Sequence, residues 1–509
     1  MRILKSTTSI CPECHIPIKA TVYEKAGKVY IKKECEKHGF FEDVYWSDYK
    51  LYAWADKFLH DGKGIENPKI TKSSPVCPLD CGLCNYHLSG TVLANLFVTN
   101  RCDMRCSYCF ANVGAAGKVF EPDLETIEKM LIALRSERPV PTKAIQITGG
   151  EPTLREDLID IIKLCKKHGF THVQLNTNGI RLGTDPELAK KVRDAGVNTV
   201  YLSFDSVKKK LKGGASKETL NAIENCRKAG LGIVLVPVLL KNYNLSEVWE
   251  IIKFAAKNKD IIRGVNFQPV SFVGAMSSAQ RRKIRVTIPD LLIALEKQSK
   301  KKITRKAFYP ISCVVPITHL AEALSKKPEI EFSAHPHCGV ATYLYIDDSG
   351  EITPITDIVD ADKFFQIVEE AAKDLEKGGL LSKIKWLFKG YFALNGLVRK
   401  DKAPKDFNLK QLLLEMLILR NYKSLGKFHY KTLFVGTMHF MDAYNYDVER
   451  VRRCVIHYIL PDERIVPFCA FNGLPELYLM KMQQDFGIPI EEWEKKTGKK
   501  LKDDLYKLK

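Results

Sequence analysis

The chain has 509 residues, 45% hydrophobic and 27% charged, a composition that excludes a disordered chain and an integral membrane protein. Its longest apolar runs, such as residues 233–240, are strand-sized and fall short of the about 18 residues needed to span a bilayer. A formal charge of +19 implies attraction to an anionic partner, unless the many lysines that alternate with glutamates, as at Glu187 and Lys191 and through 363–377, merely form solvated helix faces.

The start, Met1-Arg-Ile-Leu-Lys-Ser, carries no apolar secretory core, so a cytoplasmic protein is expected. The fifteen cysteines there imply metal and not disulfides. Residues 1–50 hold Cys11, Cys14, Cys35 and His38 around a β-rich stretch at 28–32. This spacing predicts a rubredoxin-like or zinc-ribbon knuckle holding one mononuclear iron or zinc, with a structural role because four ligands close the site. Residues 51–90 link the knuckle to the next unit and contain Cys77, Cys81, Cys84 and His87. They read as the loop of a first auxiliary [4Fe–4S] cluster whose fourth corner comes from His87, the nearest candidate, from a remote residue or from substrate, or as zinc ligands.

From 91 to 275, apolar runs at 93–99, 144–148, 172–176, 198–204, 232–239 and 264–270 alternate with helical stretches. Six strands with right-handed crossovers predict an α/β fold, a partial (β/α)6 barrel whose sites lie at the carboxyl ends of the strands. Directly after the first run stand Cys102, Cys106 and Cys109, with Tyr108 before the last thiolate. Three thiolates this close can hold three corners of a [4Fe–4S] cluster while the fourth iron stays open to a chelating substrate. The second run ends in Thr148-Gly-Gly-Glu-Pro152. Here Gly149 and Gly150 are expected to let the backbone approach a bound amino acid and Glu151 to receive its ammonium. Alone, the cysteines fit structural zinc; paired with this motif they resemble the radical S-adenosylmethionine (SAM) superfamily. Asn176 and Asn178 after the third strand, and Ser203 and Asp205 after the fourth, are then candidates for binding the ribose and carboxylate of SAM, or ordinary strand-end turn residues. Cys165 and Cys226 fall within helices and read as core.

Residues 276–509 are predicted as a C-terminal α+β auxiliary-cluster and substrate domain. Cys313, Cys338, Cys454 and Cys469 are the thiolates left for one further [4Fe–4S] cluster, and Cys454 and Cys469 bracket a predicted hairpin. Residues 380–398 form an amphipathic helix, either core-facing or lying against a membrane or lipid channel. Residues 436–445, rich in polar and aromatic groups, read as lining a site. The ligand groups together provide for three [4Fe–4S] clusters, one of them the site cluster, and one mononuclear metal.

From Cys11-Pro-Glu-Cys14 through Cys77-Pro-Leu-Asp-Cys81-Gly-Leu-Cys84 to Met438-His-Phe-Met-Asp-Ala-Tyr444 and Cys454-Val-Ile-His-Tyr458, nearly the whole chain resembles the archaeal tetraether lipid synthase family. That resemblance implies a radical SAM enzyme that joins terminal methyl carbons of isoprenoid ether lipid chains. It also implies an isoprenoid ether lipid substrate; a low-potential electron donor is expected, the +19 charge and apolar helices suit peripheral contact with an acidic membrane surface, and no nucleic acid is expected because no aromatic–basic stacking array is visible. The same family is also described as methylating a pterin precursor of the 7,8-dihydro-6-hydroxymethylpterin type, the alternative expectation, although no cobalamin-binding pattern is visible to carry the methyl group.

Overall fold

A computed structural model describes residues 1–70, 74–106, 109, 117–208, 214–273, 278–379, 382, 385–386, 389, 396–404, 407 and 431–506. Tyr108 and most of the predicted helix at 380–398 lie outside the described residues. Trp386, from that segment, packs on Ala323, Ala371 and Leu375, and its indole N–H donates to Asp374 Oδ2 at 3.0 Å.

The amino-terminal strands Arg2–Ile10, Pro17–Lys25, Lys28–Cys35 and Gly39–Trp46 form an antiparallel sheet in sequence order. Alternation buries Val22, Val29 and Ile31. The hairpin at Ala26-Gly27 turns through two residues of positive φ, 52° and 75°, the tight geometry that matches strand twist. This ribbon is fastened to the distal part of the chain by charge: Asp447 accepts from Lys5, Thr7 and Tyr45, while Asp43 receives Arg281 and Arg285.

The six expected barrel strands appear as Leu93–Phe97, Ala144–Thr148, His172–Thr177, Thr199–Ser203, Gly232–Val236 and Ile262–Pro269, paired in parallel in that order. Their crossover helices carry the signals that start and stop a helix. Asp123, Asp185 and Ser216 cap the first turns of Leu124–Arg135, Pro186–Ala195 and Lys217–Ala229, and Gly196 and Gly230 end the last two in the left-handed conformation. Cys165 and Cys226 are buried in this core.

The C-terminal region contributes to the same sheet. Thr432–Met438 runs parallel beside Ile262–Pro269, and Ile456–Ile459 parallel beside Leu93–Phe97, so residues distant in sequence extend both edges. Antiparallel strands Gly339–Ile346 and Ile465–Pro467 follow on the outer sides, the latter completing the expected hairpin. Surface lysines pair along helices, as Lys129 with Glu125 and Lys373 with Glu369, each at 2.7 Å. Among the described residues no helix is long and apolar enough to cross a membrane.

Candidate functional site

A cavity of about 1360 Å³ opens above the barrel strands. Cys102, Cys106, Cys109, Gly149, Gly150 and Glu151 line it, together with Asn176, Asn178, Ser203 and Asp205. The two motifs meet through backbone. Gly150 N donates to Thr99 O and Glu151 N to Arg101 O, both at 2.7 Å. A Cβ on Gly149 or Gly150 would stand 2.2 or 2.1 Å from those carbonyl oxygens. The glycines thus admit the strand that leads into the cysteine loop, and both also line the cavity. Arg101 pins this strand by bonding Asp504 and Glu121 and stacking 4.5 Å from the Trp493 ring.

Glu151 is 1% exposed. Its Oε1 accepts from Thr153 N, Thr153 Oγ1 and Thr177 Oγ1, and its Oε2 from Asn178 N. A carboxylate offers about four acceptor positions, and Oε2 retains one, so an ammonium can still be received there. Burial, then the Asp103 charge, push this carboxyl up to about 7 against those hydrogen bonds. Asn178 also donates to Asp103 Oδ1 at 2.6 Å, Asn176 donates to Thr148 Oγ1, and Asp205 accepts from Val238 N. These polar groups hold the strand ends together and still face the cavity.

The knuckle ligands converge. Cys11 Sγ and Cys35 Sγ each lie 3.5 Å from His38 Nδ1, and Cys14 Sγ lies 3.9 Å from Cys35 Sγ. Tetrahedral zinc with bonds of about 2.3 Å to sulfur and 2.0 Å to nitrogen sets its ligand atoms about 3.5–3.8 Å apart. The four side chains fit such an ion, with Nδ1 as the imidazole donor. The hydrogen bond with His38 also pulls the Cys35 thiol down to about 6.

The remaining thiols regroup. Cys81 lies within electrostatic reach of Cys77, Cys84 and Cys454, and Cys469 within reach of Cys454 and Cys338. Cys313 stands elsewhere, on the cavity wall beside Val314 and Ile317, where burial pushes its thiol up to about 12. The structure therefore does not bring Cys313 to the other three C-terminal cysteines. His87 Nε2 lies 2.9 Å from Cys454 O and 3.1 Å from His457 Nε2. A carbonyl only accepts, so Nε2 carries the proton and Nδ1 the lone pair; burial keeps the ring neutral, down to about 4. Of 436–445, Gly436, Thr437, Met438 and Phe440 line the cavity, while Asp442 bonds Arg285. His439 is fully enclosed, and burial with Arg450 and Arg285 lowers its ring to about 3.

The sequence reading passed over a row of carboxamides. Asn95, Gln146 and Gln174 stand in register on three adjacent strands and face the cavity, joined by a 2.9 Å bond from Gln146 Nε2 to Asn95 Oδ1. The Oε1 atoms of Gln146 and Gln174 are buried without a partner among the described residues. Polar residues at matching places inside apolar strand runs were the available signal. Tyr201, Phe434 and Phe468 add aromatic wall.

Residues 96–255 match the Radical SAM superfamily, and residues 3–47 the HMPTM N-terminal zinc ribbon domain. The 7,8-dihydro-6-hydroxymethylpterin dimethyltransferase of Methanocaldococcus jannaschii is 44% identical over 500 residues, covering 96% of this chain and 97% of that protein. A GTP 3',8-cyclase of Marinobacter nauticus is 31% identical over 183 residues, 34% of this chain and 53% of its own. Among solved structures, a radical SAM methyltransferase from Sphaerobacter thermophilus is 12% identical with a TM-score of 0.28, covering 59% of this chain and 75% of that one. The full-length relative overturns the expected tetraether lipid synthase and its coupling of isoprenoid ether lipid chains. The quoted motifs report the cofactor and the ribbon; they do not report the acceptor.

Proposed function

The chain belongs to the radical SAM superfamily and, within it, to the family of the Methanocaldococcus jannaschii dihydropterin dimethyltransferase, and from that membership we propose that it methylates a dihydropterin bearing a 6-hydroxymethyl group. The observation that carries this reading at the site is the carboxamide row. A pterin presents a planar ring edged with N–H donors and acceptors, which Asn95, Gln146 and Gln174 can bond and the aromatic wall can stack.

Cys102, Cys106 and Cys109 are the residues to hold a [4Fe–4S] cluster, which with SAM supplies a carbon radical able to take hydrogen from an unactivated position. Glu151 is assigned the SAM ammonium, because it lines the cavity and its Oε2 carries a single hydrogen bond. Asn176, Ser203 and Asp205 offer donors and acceptors to the rest of the cofactor. The mostly hydrocarbon wall excludes water from the reacting groups. Zinc in the ribbon, on Cys11, Cys14, Cys35 and His38, has a closed ligand set and serves structure.

The test is an anaerobic reaction of the reconstituted protein with SAM, a low-potential reductant and 7,8-dihydro-6-hydroxymethylpterin, read by mass spectrometry. Pterin carrying one or two added methyl groups is expected. SAM cleavage with the pterin returned unchanged would remove this substrate.

A further inference from the structure

His439 is 1% exposed, and neither Nδ1 nor Nε2 has a hydrogen-bond partner among the described residues. A buried imidazole with both nitrogens unmatched needs a ligand, because it has lost water and gained nothing. Its position says which. The antiparallel register that pairs Gly339 with Met438 continues by one residue, since His439 N donates to Cys338 O at 2.8 Å. The pairing goes no further, because Cys338 N bonds His335 O in a turn, but Arg450 ties the two residues together, its Nε reaching Cys338 Sγ at 3.5 Å and its Nη2 bonding His439 O at 2.8 Å.

Two further thiols approach from other elements. Met441, two residues beyond His439, donates its N–H to Cys469 Sγ at 3.4 Å. Cys469 in turn lies within electrostatic reach of both Cys454 and Cys338.

A buried cation stands beside this group. Arg450 is 1% exposed; its Nε reaches Cys338 Sγ at 3.5 Å, its Nη2 bonds His439 O at 2.8 Å, and its Nη1 is unpartnered among the described residues. Neither of these bonds goes to a carboxylate. A buried guanidinium requires a nearby anion, and ionised thiolates on a metal cluster supply it.

We propose that Cys338, His439, Cys454 and Cys469 together hold one iron–sulfur cluster, with the His439 imidazole in the place of a fourth cysteine. Cys313, which the sequence assigned to this group, is thereby released to the cavity wall. The assignment does not depend on the identity of the methyl acceptor.

The experiment uses the full chain, reconstituted anaerobically with iron and sulfide, reduced, and studied by pulsed electron paramagnetic resonance with and without 15N-histidine. A directly bound imidazole gives a strong nitrogen coupling that changes with the isotope. This coupling is expected in the wild type, and it should disappear in His439→Cys while iron content is kept. The reduction potential of that cluster should fall, because a thiolate replaces a neutral nitrogen. His87→Ala separates the other candidate imidazole and must leave the His439-dependent coupling in place. Absence of any histidine coupling in the reduced wild type overturns the proposal without recourse to a variant, as does its persistence in His439→Cys.

Discussion

Gly150 and Arg101 are in closer register than any other side chain would permit: a Cβ on Gly150 would sit 2.1 Å from the Arg101 carbonyl oxygen. The cysteine loop and the Gly-Gly-Glu turn thus meet backbone to backbone at Thr99 and Arg101. Gly150→Ala must open that contact, with a loss of about 1–3 kcal/mol from overpacking. SAM cleavage, measured as 5'-deoxyadenosine, should fall severely while ribbon zinc is retained. Cleavage at the wild-type rate would show that the contact has no part in placing the cluster.

Replacing Cys102, Cys106 and Cys109 together with alanine should abolish 5'-deoxyadenosine formation and remove about one cluster's worth of iron and sulfide. The other thiols belong to separate elements and should keep their metal. Undiminished radical formation would move the active cluster to another part of the chain.

What the sequence made legible was local. The six strands were readable because each is an apolar run flanked by a helix of amphipathic period, and the ribbon because its four ligands are paired by short spacing. The pairing of Thr432–Met438 with Ile262–Pro269, and of Ile456–Ile459 with Leu93–Phe97, leaves no local trace, so the second half of the chain read as a separate unit. Cys313 was grouped with Cys338, Cys454 and Cys469 by counting, which carries no register; the strand pairing that sets His439 opposite Cys338 does. The substrate was misread for a related reason. Cys102 to Cys109 and Gly149 to Pro152 fix the cofactor chemistry, whereas Gln146 and Gln174, which line the cavity, are single polar residues inside strand runs.

The ribbon should bind about one zinc per chain, as a closed tetrahedral site requires. Cys14→Ser should lower that stoichiometry and loosen the ribbon, seen as faster proteolysis within residues 1–50. Iron and sulfide content should be unchanged. Retention of full zinc in Cys14→Ser would reassign the ligand set.

Substituting the glutamines tests the carboxamide row. Gln146→Leu and Gln174→Leu are near-isosteric and leave the SAM-facing residues in place. Each should weaken pterin binding by about 1–2 kcal/mol, the worth of one hydrogen bond in a desolvated site, with SAM cleavage largely maintained. Unchanged pterin affinity in both variants would place the substrate away from this row.

The ribbon's attachment is expected to fail in acid. Burial pushes the Asp447 carboxyl up, but the Lys5 ammonium at 2.8 Å and the Thr7 and Tyr45 hydroxyls outweigh it and hold it below the ordinary 3.8. Because the folded value is depressed, the unfolded chain binds the proton more readily. The contribution to stability is fully present above the ordinary carboxylate value and is lost as pH falls through the folded one. Asp442, held low against its burial by Arg285, follows the same sign and loosens the neighbouring contact in the same window. Stability should therefore be level in this respect from neutrality to about pH 5 and decline below about pH 4. Asp447→Asn should flatten that decline and lower stability at neutral pH by about 1–3 kcal/mol, less than a fully enclosed pair because Lys5 is partly exposed. Denaturation monitored by Trp46, buried in the ribbon, reads both effects, and an unaltered acid limb in Asp447→Asn would assign the acid sensitivity to other carboxylates.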